Sequence, residues 1–200
     1  AVANPTIDKG TTDVVRAAVL KDVQASLKQA EFAADQAVAE RLFGTFPYGR
    51  PQSGSPESLA KIDFADIRFA YDRFFGADNA TMTISGNFEP NNAYRAVRRY
   101  FGAWLKSDRR VPSTFRQPDA PPAAVMNAVS PEEGRSEIRF AFRGLARNDV
   151  AAPAAEVLAR VYEAKLRAKA PVDKRQSVFV NHHSHILPGS FVFSIKDVRS

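Results

Sequence analysis

From Val15 the apolar positions Val15, Val19, Val23 and Leu27 recur every four residues, which marks one face of a helix. Thr11-Thr12-Asp13 lies just ahead of them, and its side-chain oxygens can accept the free amides of a first turn. A second helical stretch carries Phe32, Ala33, Ala37, Leu42 and Phe43. It stops at Gly44 and Pro47-Tyr48-Gly49, because glycine tolerates positive φ and proline blocks continuation. Propensity leaves open whether Gln29 to Phe32 holds a break or a bend. Asp63 opens another helix, with Phe64, Ile67, Tyr71 and Phe74 at helical spacing. Asp78-Asn79 then turns the chain into a predicted strand over Ala80 to Ser85, with Met82 and Ile84 on one face. Asn91 or Asn92 is expected to cap the next helix, whose buried stripe would be Tyr94, Val97, Phe101 and Trp104.

Between Lys106 and Gly134 the texture changes. Pro112, Pro118, Pro121, Pro122 and Pro131 interrupt a run of Ser, Asp and Ala, a composition that sustains neither helix nor ladder and reads as a linker. A strand follows, with Ile138, Phe140 and Phe142 on one face and Glu137, Arg139 and Arg143 on the other. The next helix would bury Val157, Leu158, Val161, Tyr162 and Leu166. Two strands close the chain, roughly Ser177 to Ile186 and Ser190 to Ile195, joined by Leu187-Pro188-Gly189-Ser190 in a type II turn. The expected fold class is α+β: two-layer units of mainly antiparallel sheet with helices packed on one face. Residues 1–106 form the latter part of a first unit, 107–134 the linker, and 135–200 an incomplete second unit.

Composition narrows the function less than the pattern does. The chain has 200 residues, 44% of them hydrophobic and 25% charged, which is ordinary for a globular protein. No apolar run reaches the roughly 20 residues needed to span a bilayer. The start, Ala1-Val2-Ala3-Asn4-Pro5, has neither an initiator Met nor a charged-then-apolar signal pattern, so it reads as an internal cut in a longer protein. Without cysteine there is no disulfide, no thiol nucleophile and no Cys-ligated zinc. The net charge of +6 gathers at Arg95, Arg98, Arg99, Lys106, Arg109 and Arg110. No zinc-finger spacing or RNA-recognition aromatics accompany that run, so a solvated helix face is the reading preferred to a nucleic-acid surface. A basic module gripping an acidic protein or nucleic acid stays as an alternative.

The ordered run Leu42-Phe43-Gly44, Pro47-Tyr48-Gly49, Gly54 to Leu59, Asp66-Ile67, Asn79-Ala80 and Gly86 resembles the insulinase/pitrilysin zinc metallopeptidases, a family that includes the mitochondrial processing peptidases. The resemblance covers roughly Val19 to Phe193. It implies paired α+β units that form half of a clam-shaped, peptide-enclosing chamber. Catalytic members carry an H-x-x-E-H helix whose histidines bind zinc and whose glutamate is the base. That motif is absent from this sequence. The family's downstream zinc-binding glutamate would fall near Leu20 to Val23, where the sequence reads Leu-Lys-Asp-Val and offers only Asp22 beside Lys21. The family's glycine-rich turn and substrate-contacting Arg and Tyr would fall in Val157 to Val180; the glycines and tyrosine are missing, and Arg175 is the one arginine that could stand in.

The only histidines, His182, His183 and His185, sit in one strand-like run, where alternation would send His183 and His185 to the same face. Two ligands fall short of the three or four that zinc requires. We therefore expect no catalytic residue and no resident cofactor, with His183, His185 and Asp22 as weak metal candidates and Arg175 as a substrate contact. The resulting expectation is a non-catalytic segment or inactive subunit of an insulinase-like zinc metallopeptidase. The alternative is part of an active zinc endopeptidase whose H-x-x-E-H helix lies upstream. Expected partners are the rest of the polypeptide or a catalytic subunit, together with an unfolded peptide. The resemblance points to a periplasmic or secreted setting.

Overall fold

A computed structural model describes residues 5–106, 116–119 and 130–198. It divides into two compact units, one of residues 1–20 and 57–113, the other of residues 21–56 and 114–200. The sequence reading had placed residues 21–56 with the first unit; here they group with the later strands. Most of the predicted linker, and with it Arg109 and Arg110, lies outside the described residues.

In the first unit, α1 (Lys9–Ser26, shared with the second unit beyond Leu20) begins one turn earlier than Thr11-Thr12-Asp13 suggested. Asp8 is the capping residue: its carboxylate accepts the Thr11 amide at 2.8 Å and the Thr11 hydroxyl at 2.7 Å. α3 (Pro56–Lys61) leads to α4 (Phe64–Phe74), which starts where predicted. Asp63 and Asp66 cap it reciprocally, each carboxylate accepting the other residue's amide at 3.0 Å. Trp104 Nε1 donates to the Phe75 carbonyl at 2.9 Å, tying the end of α5 (Pro90–Phe101) to the end of α4.

Two expectations fail in this unit. Ala80 to Ser85 is not a strand, and Met82 and Ile84 are exposed. A strand exists only through a ladder with a neighbour, and the described part of this unit supplies none. α5 opens on Pro90, whose missing N–H suits the first helical position, and not on an asparagine cap. Its stripe is only half-buried at Val97, Phe101 and Trp104, and Tyr94 is exposed.

The second unit holds α2 (Ala30–Phe43), separated from α1 by a true break at Leu27–Gln29, which settles the open question there. α2 ends at Gly44, whose φ of 57° is the left-handed conformation that a side chain disfavours. Three antiparallel strands follow: β1 (Ser136–Arg143), β2 (Val178–His183) and β3 (Ser190–Val198), in the spatial order β1-β3-β2. Phe140 opposes Phe193 and Val180 opposes Phe193 from the other side, which fixes the register of the whole sheet. The expected α+β class is therefore present, with the sheet of the described residues in this unit.

α2 lies against the Arg139 and Arg143 face of β1. α6 (Ala152–Lys169) reaches the opposite face, where Tyr162 meets Phe193 edge-on at 5.7 Å. Apart from that Tyr162 contact, the stripe predicted for α6 is not its buried side: Val157, Leu158, Val161, Tyr162 and Leu166 all keep substantial exposure, whereas Ala152, Ala159 and Glu163 are buried. Small alanines let the helix approach β2 closely, and Glu163 then reaches the strand's backbone, accepting the Val180 amide at 2.9 Å.

The β2–β3 connection also departs from the type II turn. Gly189 is not among the glycines at positive φ, so the i+2 geometry that such a turn requires is missing. Gly189 is needed for close approach instead, since a Cβ there would lie 1.7 Å from the His183 carbonyl oxygen.

Candidate functional site

The second unit holds two features with the makings of a site: the corner built by the histidines, and the margin of the sheet at β1. The corner forms because β2 ends at His183, so the expected alternation does not carry on to His185. His185 instead bridges Ala146, and its carbonyl accepts the Arg147 amide at 2.7 Å. Its ring lies on Tyr48, centroids 4.4 Å apart, while the Tyr48 hydroxyl accepts the Leu187 amide at 3.2 Å. The Pro47-Tyr48-Gly49 turn thus anchors the β2–β3 connection. That role for the motif was not legible in the sequence.

His182 accepts the Leu145 amide at Nε2, 3.0 Å away. Its Nδ1 is buried with no hydrogen-bond partner among the described residues. Burial pushes the His185 imidazole below its ordinary pKa, and the charges of His183 and Arg147 push it the same way. The neutral ring is the form the fold favours. The unfolded chain therefore takes up more protons below about pH 6.5, and stability is full above that value and falls as acid is added toward the lower folded pKa. Urea midpoints measured at pH 7.5 and pH 5 are expected to show this loss, and His185→Phe, which keeps the ring contact, is expected to flatten it. An equal acid slope in the variant would contradict the assignment.

The histidines do not come together as a metal centre. Among the described residues no group of three or more His, Asp or Glu side chains could hold an ion. His183 is exposed, and Asp22 sits on exposed α1 sequence, where its carbonyl accepts the Ser26 hydroxyl. Arg175 lies in the turn Val172–Ser177 before β2 and reaches back to the Ala170 carbonyl at 3.4 Å. The donor set present does not fit a catalytic zinc.

At the sheet's margins the two edges differ. The β2 edge is closed by α6: Glu163 takes the Val180 amide, and Arg167 Nε donates to the Val178 carbonyl at 2.9 Å. β1 is the other margin. On its inner face Arg139, with 4% of its side chain exposed, is held between Asp35 at 2.7 Å and Glu137 at 2.9 Å. Burial opposes its charge, but the bonds and charges of the two carboxylates prevail and raise its pKa. Arg143 donates twice to the Leu42 carbonyl, at 3.0 and 2.6 Å, capping the end of α2, and burial lowers its pKa. On the outer face Ile138, Phe140 and Phe142 are 50%, 61% and 50% exposed. Three large apolar side chains at period two on a marginal strand are uncommon on a free surface.

The sequence profile of the peptidase M16 inactive domain matches residues 61–195. The chain belongs to this family. The match covers α4, α5, β1, α6, β2 and the first part of β3, and the domain it describes is the inactive one, in line with the insulinase-type, non-catalytic reading of the sequence. Among curated proteins, the chain is similar to a Mycobacterium tuberculosis protein named as an uncharacterized zinc protease, 28% identical over 98 residues. That match covers 49% of this chain and 22% of the relative. Among solved structures, the peptidase M16 inactive domain from Pseudomonas fluorescens shares the fold with a TM-score of 0.83 and 17% identity. It is covered over 98% of this chain and 48% of its own. The periplasmic protease PqqL from Escherichia coli matches with a TM-score of 0.60 and 14% identity, over 98% of this chain and 23% of its own. The chain thus spans about half, or less, of the length of these proteins. Among the described residues no helix is long and apolar enough to cross a membrane.

Proposed function

We propose that this M16 inactive domain forms part of the wall that encloses an extended peptide for a zinc peptidase, and that β1 is the strand that holds it. The catalytic zinc site would be supplied by the rest of the polypeptide or by a partner subunit. The observation that carries the reading is the asymmetry of the sheet: β2 is closed by Glu163 and Arg167, while β1 is marginal and presents Ile138, Phe140 and Phe142. A peptide adding as a strand would take affinity from main-chain hydrogen bonds, and alternate side chains would rest on those three residues. Arg175 is kept as a further substrate contact and residues 107–134 as the linker. The setting we favour is the periplasm or outside the cell, as the name of the PqqL structure suggests for that relative.

The test uses an unstructured apolar peptide, its N-methylated counterpart, and the purified protein. Binding is expected to weaken about tenfold on N-methylation and by a similar factor in Phe140→Lys, since losing one apolar anchor and its backbone register is worth about 1.4 kcal/mol. The protein alone is expected to leave the peptide intact and to retain no stoichiometric zinc after dialysis. Equal affinity for the methylated peptide would remove β1 from the reading. Chelator-sensitive hydrolysis by the pure chain would overturn its non-catalytic role.

A further inference from the structure

One face of the sheet is only half covered. Opposed residues of antiparallel strands point the same way, so Ile138, Phe140 and Phe142 of β1 share a face with Phe193 of β3 and Val180 of β2. α6 lies over the β2 side of that face, where Val180 is buried and its amide is taken by Glu163. Over β1 the same face stays open, and Phe140 is its most exposed member. The open part is continuous with α6. The Phe140 ring meets Phe142 edge-on at 4.7 Å and Phe193 at 6.1 Å, and Phe193 in turn meets Tyr162 of α6 at 5.7 Å. Leu158, one helical turn before Tyr162, stands on the same flank of α6 and is also exposed. Sheet floor and helix flank thus form one apolar trough.

Two strand spacings put β1 about 10 Å from β2, so the trough beside α6 is about one helix wide. An extended segment laid across a sheet face finds no partners there for its amides and carbonyls, whereas a helix satisfies its own. A second sheet needs several strands abreast, and α6 already takes part of the face. We propose that the trough seats a helix of the same polypeptide from outside these 200 residues, packed alongside α6. β1 runs about 26 Å over its eight residues, a length that a helix of about 17 residues matches. Its apolar positions would recur at i, i+3 or i+4, and i+7, and rest on Phe140, Phe142, Leu158 and Tyr162. The source is argued from length. The Pseudomonas fluorescens structure keeps this fold over 98% of the present chain, yet the match accounts for only 48% of its own. About as much chain again is therefore folded with this architecture there, and a tethered segment reaches an apolar face at a far higher effective concentration than a free partner. The helix would lie over the face and a peptide held at β1 along its edge, so either reading can fail alone.

The 200 residues contain no cysteine, which makes an introduced thiol a unique probe among them. Phe140→Cys and Leu158→Cys report on the trough, and Val150→Cys, at an open position, is the reference. In the 200-residue chain all three are expected to react with iodoacetamide at similar rates. In the longer polypeptide, with the labelled sites read by peptide mapping, the first two are expected to slow about tenfold relative to Val150→Cys, the factor for a helix seated about nine-tenths of the time. A photo-crosslinker attached at Phe140→Cys is expected to join residues three or four apart within one segment outside the 200. Circular dichroism confirms that each variant is folded. Unchanged rates in the longer polypeptide would overturn the proposal, as would slow labelling already present in the 200-residue chain. Slowing that fades on dilution would assign the trough to a second copy, and slowing that requires added peptide would assign it to the substrate; either result overturns it too.

Discussion

Glu163→Ala is expected to destabilise the sheet-bearing unit by about 3 kcal/mol. One carboxylate oxygen accepts the amide of Val180, whose side chain is 1% exposed, and the other pairs with Arg167 at 3.1 Å. Truncation leaves a buried amide without its acceptor and a half-buried guanidinium without its counter-charge. The Arg160 contact, at 3.8 Å and with Arg160 well exposed, adds little. Glu163→Gln keeps an oxygen for Val180 and loses only the charge, so about 1 kcal/mol is expected. The urea midpoint gives the stability change, and amide exchange at Val180 gives its location. Unchanged protection of that amide in Glu163→Ala would show that α6 does not fasten β2.

The second large effect is expected at Phe43, where substitution by Ala should remove about 4 kcal/mol through lost burial and the cavity left behind. The ring is 3% exposed, meets Tyr48 edge-on at 5.6 Å, and carries the Arg143 guanidinium 4.2 Å from its centroid. It therefore joins three elements at one point: the end of α2, the Pro47–Gly49 turn and the end of β1. A cycle of Phe43→Leu and Arg143→Met is expected to show coupling of about 1 kcal/mol, since the cation sits over the ring in a partly desolvated setting. Additive effects would mean that Arg143 acts only through the Leu42 carbonyl.

What the sequence disclosed, and what it hid, follows from the range of the forces involved. Asp63 and Gly44 were readable because a cap and a stop depend on a few adjacent residues. The period-two pattern of β1 was readable for the same reason. Ala80 to Ser85 has the same local signature, yet a strand needs a partner that no local pattern can supply. The inner face of α6 was misjudged because the larger apolar positions were taken as core, whereas Glu163 is the side chain buried there. Its burial depends on a strand amide seventeen residues further along. Tyr48 and His185 are 137 positions apart, and nothing in either neighbourhood announces the other. The absence of an H-x-x-E-H motif was legible directly, because that motif is a matter of five adjacent residues.

The closure of β2 by α6 also gives the sheet a direction. With the Val178 carbonyl and the Val180 amide taken by side chains of α6, β1 is the margin of the described sheet at which the proposed peptide strand would add. Because side chains alternate at every residue, an entering segment displaced by one position would turn its apolar set away from Ile138, Phe140 and Phe142. In the proposed addition, a segment would therefore find a matching register only in steps of two residues.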